Sequence, residues 1–394
     1  MAEPADYLIV ALSARALTVA ARRGGVRAYA LDLYGDSDTR ASAVASEVVR
    51  GDIARGLDDD ALIEAAERLA PAGMRPPCGF VYGAGFEDRP DVLARLSVGR
   101  RLYGNSPETV ARTKDPHTFF GLLQSLRIPH PEVAYSPPAA PEGWIVKRVG
   151  GSGGGDVAPG APDISDLRAK YWQRCVSGRS IGVSFLADGT RARLLGFSEQ
   201  WASPTARSPW RFGGMMQPAG LDRCVEERLH TLLDPLVKAL GLVGLNSLDA
   251  LVDDDGCFDV LEVNPRPGAS LDLFDPGGAG GLFALHVRAC GGTLPADLQP
   301  RAHATAMSVV YASQAIRVPA AIEWPDWVVD RPLPGSQLAS GAPVCTVLAA
   351  HETAEVARGL AAARAAAMSM VLDYDDEPSE ARLSGNATRS GTAA

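Results

Sequence analysis

The feature that most limits the fold of this chain is an ordered set of charged residues set among chain-reversing segments. Lys114 precedes Asp115-Pro116, and Lys147 ends the apolar run Trp144–Lys147. The glycine-rich stretch Gly150–Gly155 (GGSGGG) follows at once, and a later strand–turn–strand pattern carries Asp249, Glu262 and Asn264. A lysine closing an apolar strand must leave it towards an anion or solvent. The glycine run has no side-chain bulk, and its successive N–H groups can cradle anionic oxygen. It is not a Walker A loop, because no Gly-Lys-Ser/Thr closes it. Composition sharpens the lysines: of 38 Lys+Arg only Lys114, Lys147, Lys170 and Lys238 are Lys. Lysine is a compact point charge where arginine is a rigid fork, and a phosphate site can demand the former.

Asn246–Val252 and Phe258–Asn264 flank the turn Asp253-Asp254-Asp255-Gly256 and predict a hairpin. Period two puts Val260, Glu262 and Asn264 on one face. A turn centred between Asp254 and Asp255 sets Ser247 opposite Glu262 and Asp249 opposite Val260. In an unbulged pair Asp249 is then one diagonal step from Glu262. Two carboxylates and an amide oxygen suit a hard cation such as Mg²⁺, so Asp249, Glu262 and Asn264 are the expected metal set; the plain alternative is a solvated polar face. Arg266, stiffened between two prolines, is a candidate to hold a transferring phosphoryl group or a carboxylate; otherwise it braces Glu262 or Asp249.

Lys114, Lys147, Gly151, Ser152, Gly153 and Gly154 are the expected phosphate contacts, with Asp156 ending the lid. In the strand Tyr171–Val176, the backbone of Cys175 and Val176 and the side chain of Gln173 can meet a base edge. Glu199, Trp201, Arg211 and Gly213-Gly214 are candidates for an acceptor wall, with Arg211 clamping a carboxylate; each also fits an ordinary loop. Tyr82, Phe86 and Glu87 are further pocket candidates.

Strands Tyr7–Leu12, Val26–Leu31 and Gly79–Tyr82 alternate with helices Arg15–Arg23 and Asp59–Leu69, which predicts a parallel α/β sheet. Its ligand edge lies beyond the strand ends, at Ser13, Asp32, Asp36 and Tyr82–Glu87. Pro107–Leu126 reads as helix interrupted at Pro116, Cys224–Leu240 as helix kinked at Pro235, and Thr353–Met370 as an alanine-rich packed helix. The expected division is 1–105 α/β, 106–180 linker helices and lid, 181–300 nucleotide and metal subdomain, 301–376 small mixed domain, and 377–394 a disordered tail. A formal charge of −9 and pI near 5.3 argue against a general nucleic-acid surface. No apolar run reaches membrane-spanning length, and the start lacks a signal-peptide pattern. Six cysteines without a CxxC pair fit reduced thiols, so the cytoplasm is the expected location.

Taken together, Lys114, the Trp144–Lys147 strand, the glycine loop, Asn246–Asp249 and Leu261–Gly268 (LEVNPRPG) resemble the ATP-grasp family of carboxylate–amine ligases. The resemblance implies an α/β fold: an N-terminal parallel pre-ATP-grasp domain, the two ATP-grasp subdomains with ATP between them, and a small C-terminal mixed domain. It implies phosphate contacts at Lys114 and Lys147, an adenine hinge at Gln173, Arg174, Cys175 and Val176, and Mg²⁺ at Asp249, Glu262 and Asn264. Lys147, Arg211 and Arg266 are the catalytic candidates. The segment Ser177–Ser180 lacks the acidic residue that holds ribose in many relatives. The implied reaction activates a small-molecule carboxylate as an acyl phosphate and transfers it to an amine; a homodimer is also implied. Ser13–Arg15, Asp32–Asp38, Tyr82–Glu87, Asp330–Gly335 and Gly341–Cys345 are similar to a branch that includes tyramine–glutamate ligases. That implies glutamate as substrate and a place in methanofuran, methylofuran or pterin one-carbon cofactor assembly. A small-molecule kinase and a noncatalytic ATP-binding regulator are the rival classes.

Overall fold

The computed structural model describes residues 6–53, 55–75, 77–155, 157–160, 170–276, 281–298 and 302–374. Asp156 and the tail 377–394 lie outside them. Five parallel strands form the first sheet, in the spatial order Ala45–Val48, Arg27–Asp32, Asp6–Val10, Cys78–Tyr82, Arg101–Leu102. The central strand is buried at every residue because both its faces are covered. Tyr7 and Ile9 pack with Leu17, Ala20 and Ala21 of helix Arg15–Arg23, whereas Leu8 and Val10 pack with Leu62, Ala65 and Ala66 of helix Asp59–Leu69. That alternation is the period of two made visible. Asp58 fixes the start of the second helix by accepting from the Ala61 N–H.

Two short helices, Pro107–Lys114 and Pro116–Ser125, come next. Pro116 has no N–H with which to extend the first helix, and Asp115 caps the second by accepting from Thr118 N–H. Lys114 is thereby left at a helix end. A four-stranded antiparallel sheet follows, ordered Val157–Pro159, Trp144–Arg148, Lys170–Arg174, Val133–Ala134.

The largest sheet has eight antiparallel strands: Phe258–Asn264, Val243–Val252, Arg179–Asp188, Ala192–Ala202, Phe212–Gln217, Ala304–Tyr311, Pro343–His351 and Val328–Val329. It runs without a break from Phe212–Gln217 into Ala304–Tyr311, with Gly214 opposite Ser308. The segment after residue 301 therefore extends the same sheet. Helix Ala354–Tyr374 lays Ala357 and Ala361 on Ala304, Ala306 and Ala349. The helical region near 223–240 divides at Leu232 into Arg223–Thr231 and Leu233–Leu240. The break thus precedes Pro235, which sits in the first turn of the second helix, where proline is tolerated. Among the described residues no helix is long and apolar enough to cross a membrane.

The hairpin departs from the expected register. Its turn-proximal pairs are Leu251 with Asp259 and Ala250 with Val260, and a bulge then skips Leu261. Asp249 therefore stands directly opposite Glu262, and Ser247 opposite Asn264. The turn already sets the register one residue from the expected one, with Val252 opposite Phe258, and the bulge adds a second step; together they move the carboxylates from a diagonal to a facing pair.

Candidate functional site

A cleft of about 540 Å³ lies between the four-stranded sheet and the large one. Lys114, Lys147, Gly151, Ser152, Gly153, Gly154, Gln173, Arg174, Cys175, Val176, Asp249 and Glu262 all border it. The structure thus gathers onto one wall-to-wall space residues that are far apart in sequence. Phe119, Phe120, Ile145, Tyr171, Leu251 and Leu261 supply its apolar lining, which suits a planar base beside a polar tail.

The glycine loop is pinned at both ends. Phe212 N–H donates to Gly153 O at 3.0 Å. Gly154 has φ +70°, and a Cβ there would collide with the carbonyl of Trp210, so only glycine fits this approach. At the other end Arg148 pairs with Asp88 of the N-terminal domain at 2.5 Å.

Lys147 donates to Gln173 Oε1 at 3.4 Å and sits 5.9 Å from the Tyr171 ring centroid. Burial opposes its charge, but Tyr171, Glu262 and Asp249 hold its pKa above the ordinary lysine value. Lys114 donates to Glu262 Oε2 at 3.1 Å and to Asn264 Oδ1 at 3.0 Å. Asn264 Nδ2 donates to Asp249 Oδ2, and Gln200 Nε2 to Asp249 Oδ1, both at 2.9 Å. The two carboxylates diverge electrostatically. Burial and the nearby Glu262 raise Asp249; burial also works against Glu262, yet Lys114 and Lys147 outweigh it and hold Glu262 well below the usual carboxylate range.

The oxygens of Glu262 and Asn264 already converge on one cation, the Lys114 ammonium, which tests whether the set fits a metal. It fits a hard ion completed by phosphate oxygens. Among the described residues no cluster of three or more His, Cys, Asp or Glu is present that could hold a metal unaided, and Mg²⁺ characteristically takes one or two carboxylates plus phosphate.

Two site residues were not found from sequence. Gln200 reaches Asp249 across Gly182, the residue paired with Asp249 on the intervening strand. A Cβ at Gly182 would lie 2.6 Å from Gln200 Nε2 and 2.8 Å from Ser198 Oγ. The glycine in a long strand was the available signal. Asn105 was also missed. It donates to Asn246 Oδ1 and Pro265 O and accepts from Val243 N–H, so it ties the first domain to the hairpin.

Other expectations are corrected. Cys175 N–H is spent on Gly143 O, so its amide is not available to a base. Tyr82 and Phe86 are buried and do not border the cleft; Tyr82 donates to Asn105 O and Pro265 O. Arg266 neither borders the cleft nor braces Glu262 by contact. Its Nε donates to Glu87 Oε1 at 2.8 Å. Burial pushes Glu87 up, but Arg266, then Lys114, bring it below the ordinary value. Arg211 is not brought into the cleft: it stacks 3.6 Å from the Tyr311 ring centroid and donates to Ser203 O, Ser203 Oγ and Gly341 O. Glu199 is held between Arg179 and Arg358.

Comparison with known proteins agrees with this architecture. Residues 116–270 match the family described as ATP-grasp domain. The chain is similar to biotin carboxylase from Campylobacter jejuni, a β-γ-ATP complex, at 15% identity and TM-score 0.68 over 90% of this chain and 89% of that one. It is similar to the biotin carboxylase domain of Hydrogenobacter thermophilus 2-oxoglutarate carboxylase, a dimer with MgADP, ADP and bicarbonate. There the identity is 13% and the TM-score 0.67 over 89% and 87% of the chains. N5-carboxyaminoimidazole ribonucleotide synthetase, as its ADP complex, gives 16% and 0.64 over 95% and 98%. The fold of this chain is the ATP-grasp fold, with a parallel N-terminal sheet and antiparallel sheets after it.

Proposed function

We propose that this protein is an ATP-dependent carboxylate–amine ligase. The observation that carries the reading is the convergence of Lys147, Lys114, Asp249 and Glu262 beneath the glycine loop in one cleft. Two ammonium groups and loop N–H groups suit a triphosphate, and the apolar end suits adenine, with Val176 N–H and the Gln173 amide at the base edge. Asp249, Glu262 and Asn264 would hold Mg²⁺, which when bound neutralises phosphate charge. The nucleotide complexes of the structurally similar proteins support the same assignment.

In this reading a substrate carboxylate oxygen attacks the γ-phosphorus and ADP leaves, giving an acyl phosphate. An amine nitrogen then attacks the acyl carbon, phosphate leaves with the bonding pair, and the nitrogen loses a proton. Lys147 balances charge on the phosphoryl oxygens, and the pinned loop excludes water. Arg266, held by Glu87 outside the cleft, touches no substrate in this reading and acts only through its positive charge on Asp249 and Glu262. The finer reading takes glutamate as the carboxylate and an amine of one-carbon cofactor assembly, in a cytoplasmic homodimer. It draws support from Ser13, Arg15, Asp38, Asp330 and Arg331, residues of the resembling segments, which meet in one hydrogen-bonded group.

The test is a mass-spectrometric screen with Mg-ATP, glutamate and a panel of amines including tyramine, with hydroxylamine as a trap. A product of donor plus amine minus water, formed with equal ADP and phosphate, is expected. Stable phosphorylation of an acceptor with no hydroxamate or amide would replace the ligase with a kinase. Binding of Mg-ATP without substrate-dependent ADP release would leave a regulator.

A further inference from the structure

At the carboxyl edge of the parallel sheet, Asp32, Asp36, Asp38, Asp272 and Asp330 gather around Arg15. None of these residues borders the cleft. Arg15 donates to Asp272 through two nitrogens at 2.5 and 2.6 Å and to Asp330 at 2.9 and 3.1 Å. Asp330 accepts as well from Ser13 Oγ, and its own N–H donates to Asp38. Asp32 accepts from Ala14 and Gly35 N–H groups. Each of these carboxylates has its donors.

Asp36 does not. It is 4% exposed, and its Oδ2 has no hydrogen-bond partner. It stands at the N-cap of helix Ser37–Ser42, where an aspartate ordinarily accepts from the first turn, yet its side chain caps nothing. Instead the carboxyl faces Asp330, Asp32 and Asp38, with Arg15 the cation that answers them. Arg40, in the helix that Asp36 starts, and Arg331, next to Asp330, are turned to Gly35 O and Val328 O. Burial and the neighbouring aspartates push Asp36 up to about 8. Buried acceptors in native proteins find a partner, so an orphan in a site with excess negative charge calls for a cationic donor. The side chain of Tyr34 lies beside it, and Tyr34, Ser37 and Asp38 are half-buried, so Asp36 is one side chain beneath the surface. Tyr311, also beside Tyr34, donates to the carbonyl of Phe212, a cleft residue, so the two sites adjoin.

We propose that this junction binds a primary ammonium group, with Asp36 Oδ2 as its acceptor and Asp330 and Tyr34 beside it. Its identification as the seat of the amine substrate rests on the ligase reading; the ammonium chemistry does not. The probe is methylammonium chloride, compared with tetramethylammonium chloride at equal concentration, which has the charge but no N–H. Methylammonium is expected to raise the melting temperature of the wild-type protein by about 2 °C over the control, and Asp36→Asn is expected to abolish that difference. Equal response of the wild type to both salts overturns the proposal, as does a methylammonium-specific rise that survives in Asp36→Asn. The wild-type comparison stands by itself should the variant fail to fold. Mg-ADP titration separates the two readings. A wild type that ignores Mg-ADP but responds to methylammonium removes the ligase and leaves the ammonium site. The reverse result removes the ammonium site alone.

Discussion

Beneath the glycine loop the buried carboxylates are met by donors on movable side chains: the Lys114 ammonium, the Asn264 amide and the Gln200 amide. At the edge of the parallel sheet, Asp32 and Asp38 are met by backbone N–H groups of Ala14, Gly35, Asp330 and Arg331, which cannot swing away. The difference separates a site that can exchange partners from one that holds its shape. In the cleft, an arriving cation can take over Glu262 while Lys114 turns to an arriving phosphate. At the junction the scaffold is fixed, and one acceptor is left over.

The largest expected effect tests the rigidity of the junction. Arg15→Met strands Asp272 and Asp330 in a buried setting and should cost about 3–5 kcal/mol in urea unfolding. Asp36→Asn, which replaces a carboxyl held largely protonated by burial and whose Oδ2 has no partner, should cost far less or stabilise. Similar losses from both would erase the distinction drawn between paired and orphaned carboxylates.

A buried group outside both regions serves as a reference. His286 accepts from Leu245 N–H through Nδ1 and contacts Tyr103 O through Nε2. Burial lowers its pKa from 6.5 to about 4. The folded value lies below the unfolded one, so the stability tied to the neutral ring is complete above about pH 6.5. It is lost as pH falls towards 4, up to about 3 kcal/mol. His286→Gln should flatten that part of the pH–stability curve measured by denaturant titration. An unchanged slope would place the acid sensitivity in the carboxylate sites instead.

The smallest effect probes exchange in the cleft. Lys114→Met removes the ammonium that competes for Glu262 and Asn264. Mn²⁺ affinity of the nucleotide-free protein should rise roughly tenfold, about 1.4 kcal/mol, by calorimetry or electron paramagnetic resonance. Mg-ADP affinity should fall. Weaker Mn²⁺ binding in the variant would make Lys114 a structural support and not an exchangeable occupant.

Much of the fold was legible because its elements have local causes. Helices Arg15–Arg23 and Asp59–Leu69, the split at Pro116 and the strand delivering Lys147 follow from period, capping and proline chemistry. The members of the cleft were legible too, since lysine, glycine and paired carboxylates in that order have few other uses. Arg211 and Tyr82 were misplaced because an arginine beside a glycine pair, or an aromatic at a strand end, reads alike whether it faces a pocket or a neighbouring carbonyl. The register of the hairpin escaped because the turn centres on Asp255 and not between Asp254 and Asp255, and because a bulge at Leu261 leaves no mark in the residue pattern.

Local residue order settles which chemical groups are present and which short segments present them, because helix ends, turns and strand faces depend on neighbours a few residues away. Long-range packing is what brings Gln200 to Asp249 over Gly182, gives Arg266 to Glu87, and leaves Asp36 Oδ2 without a donor. Those outcomes depend on sheet order and domain packing, which bring together residues whose separation along the chain carries no information about their distance in space.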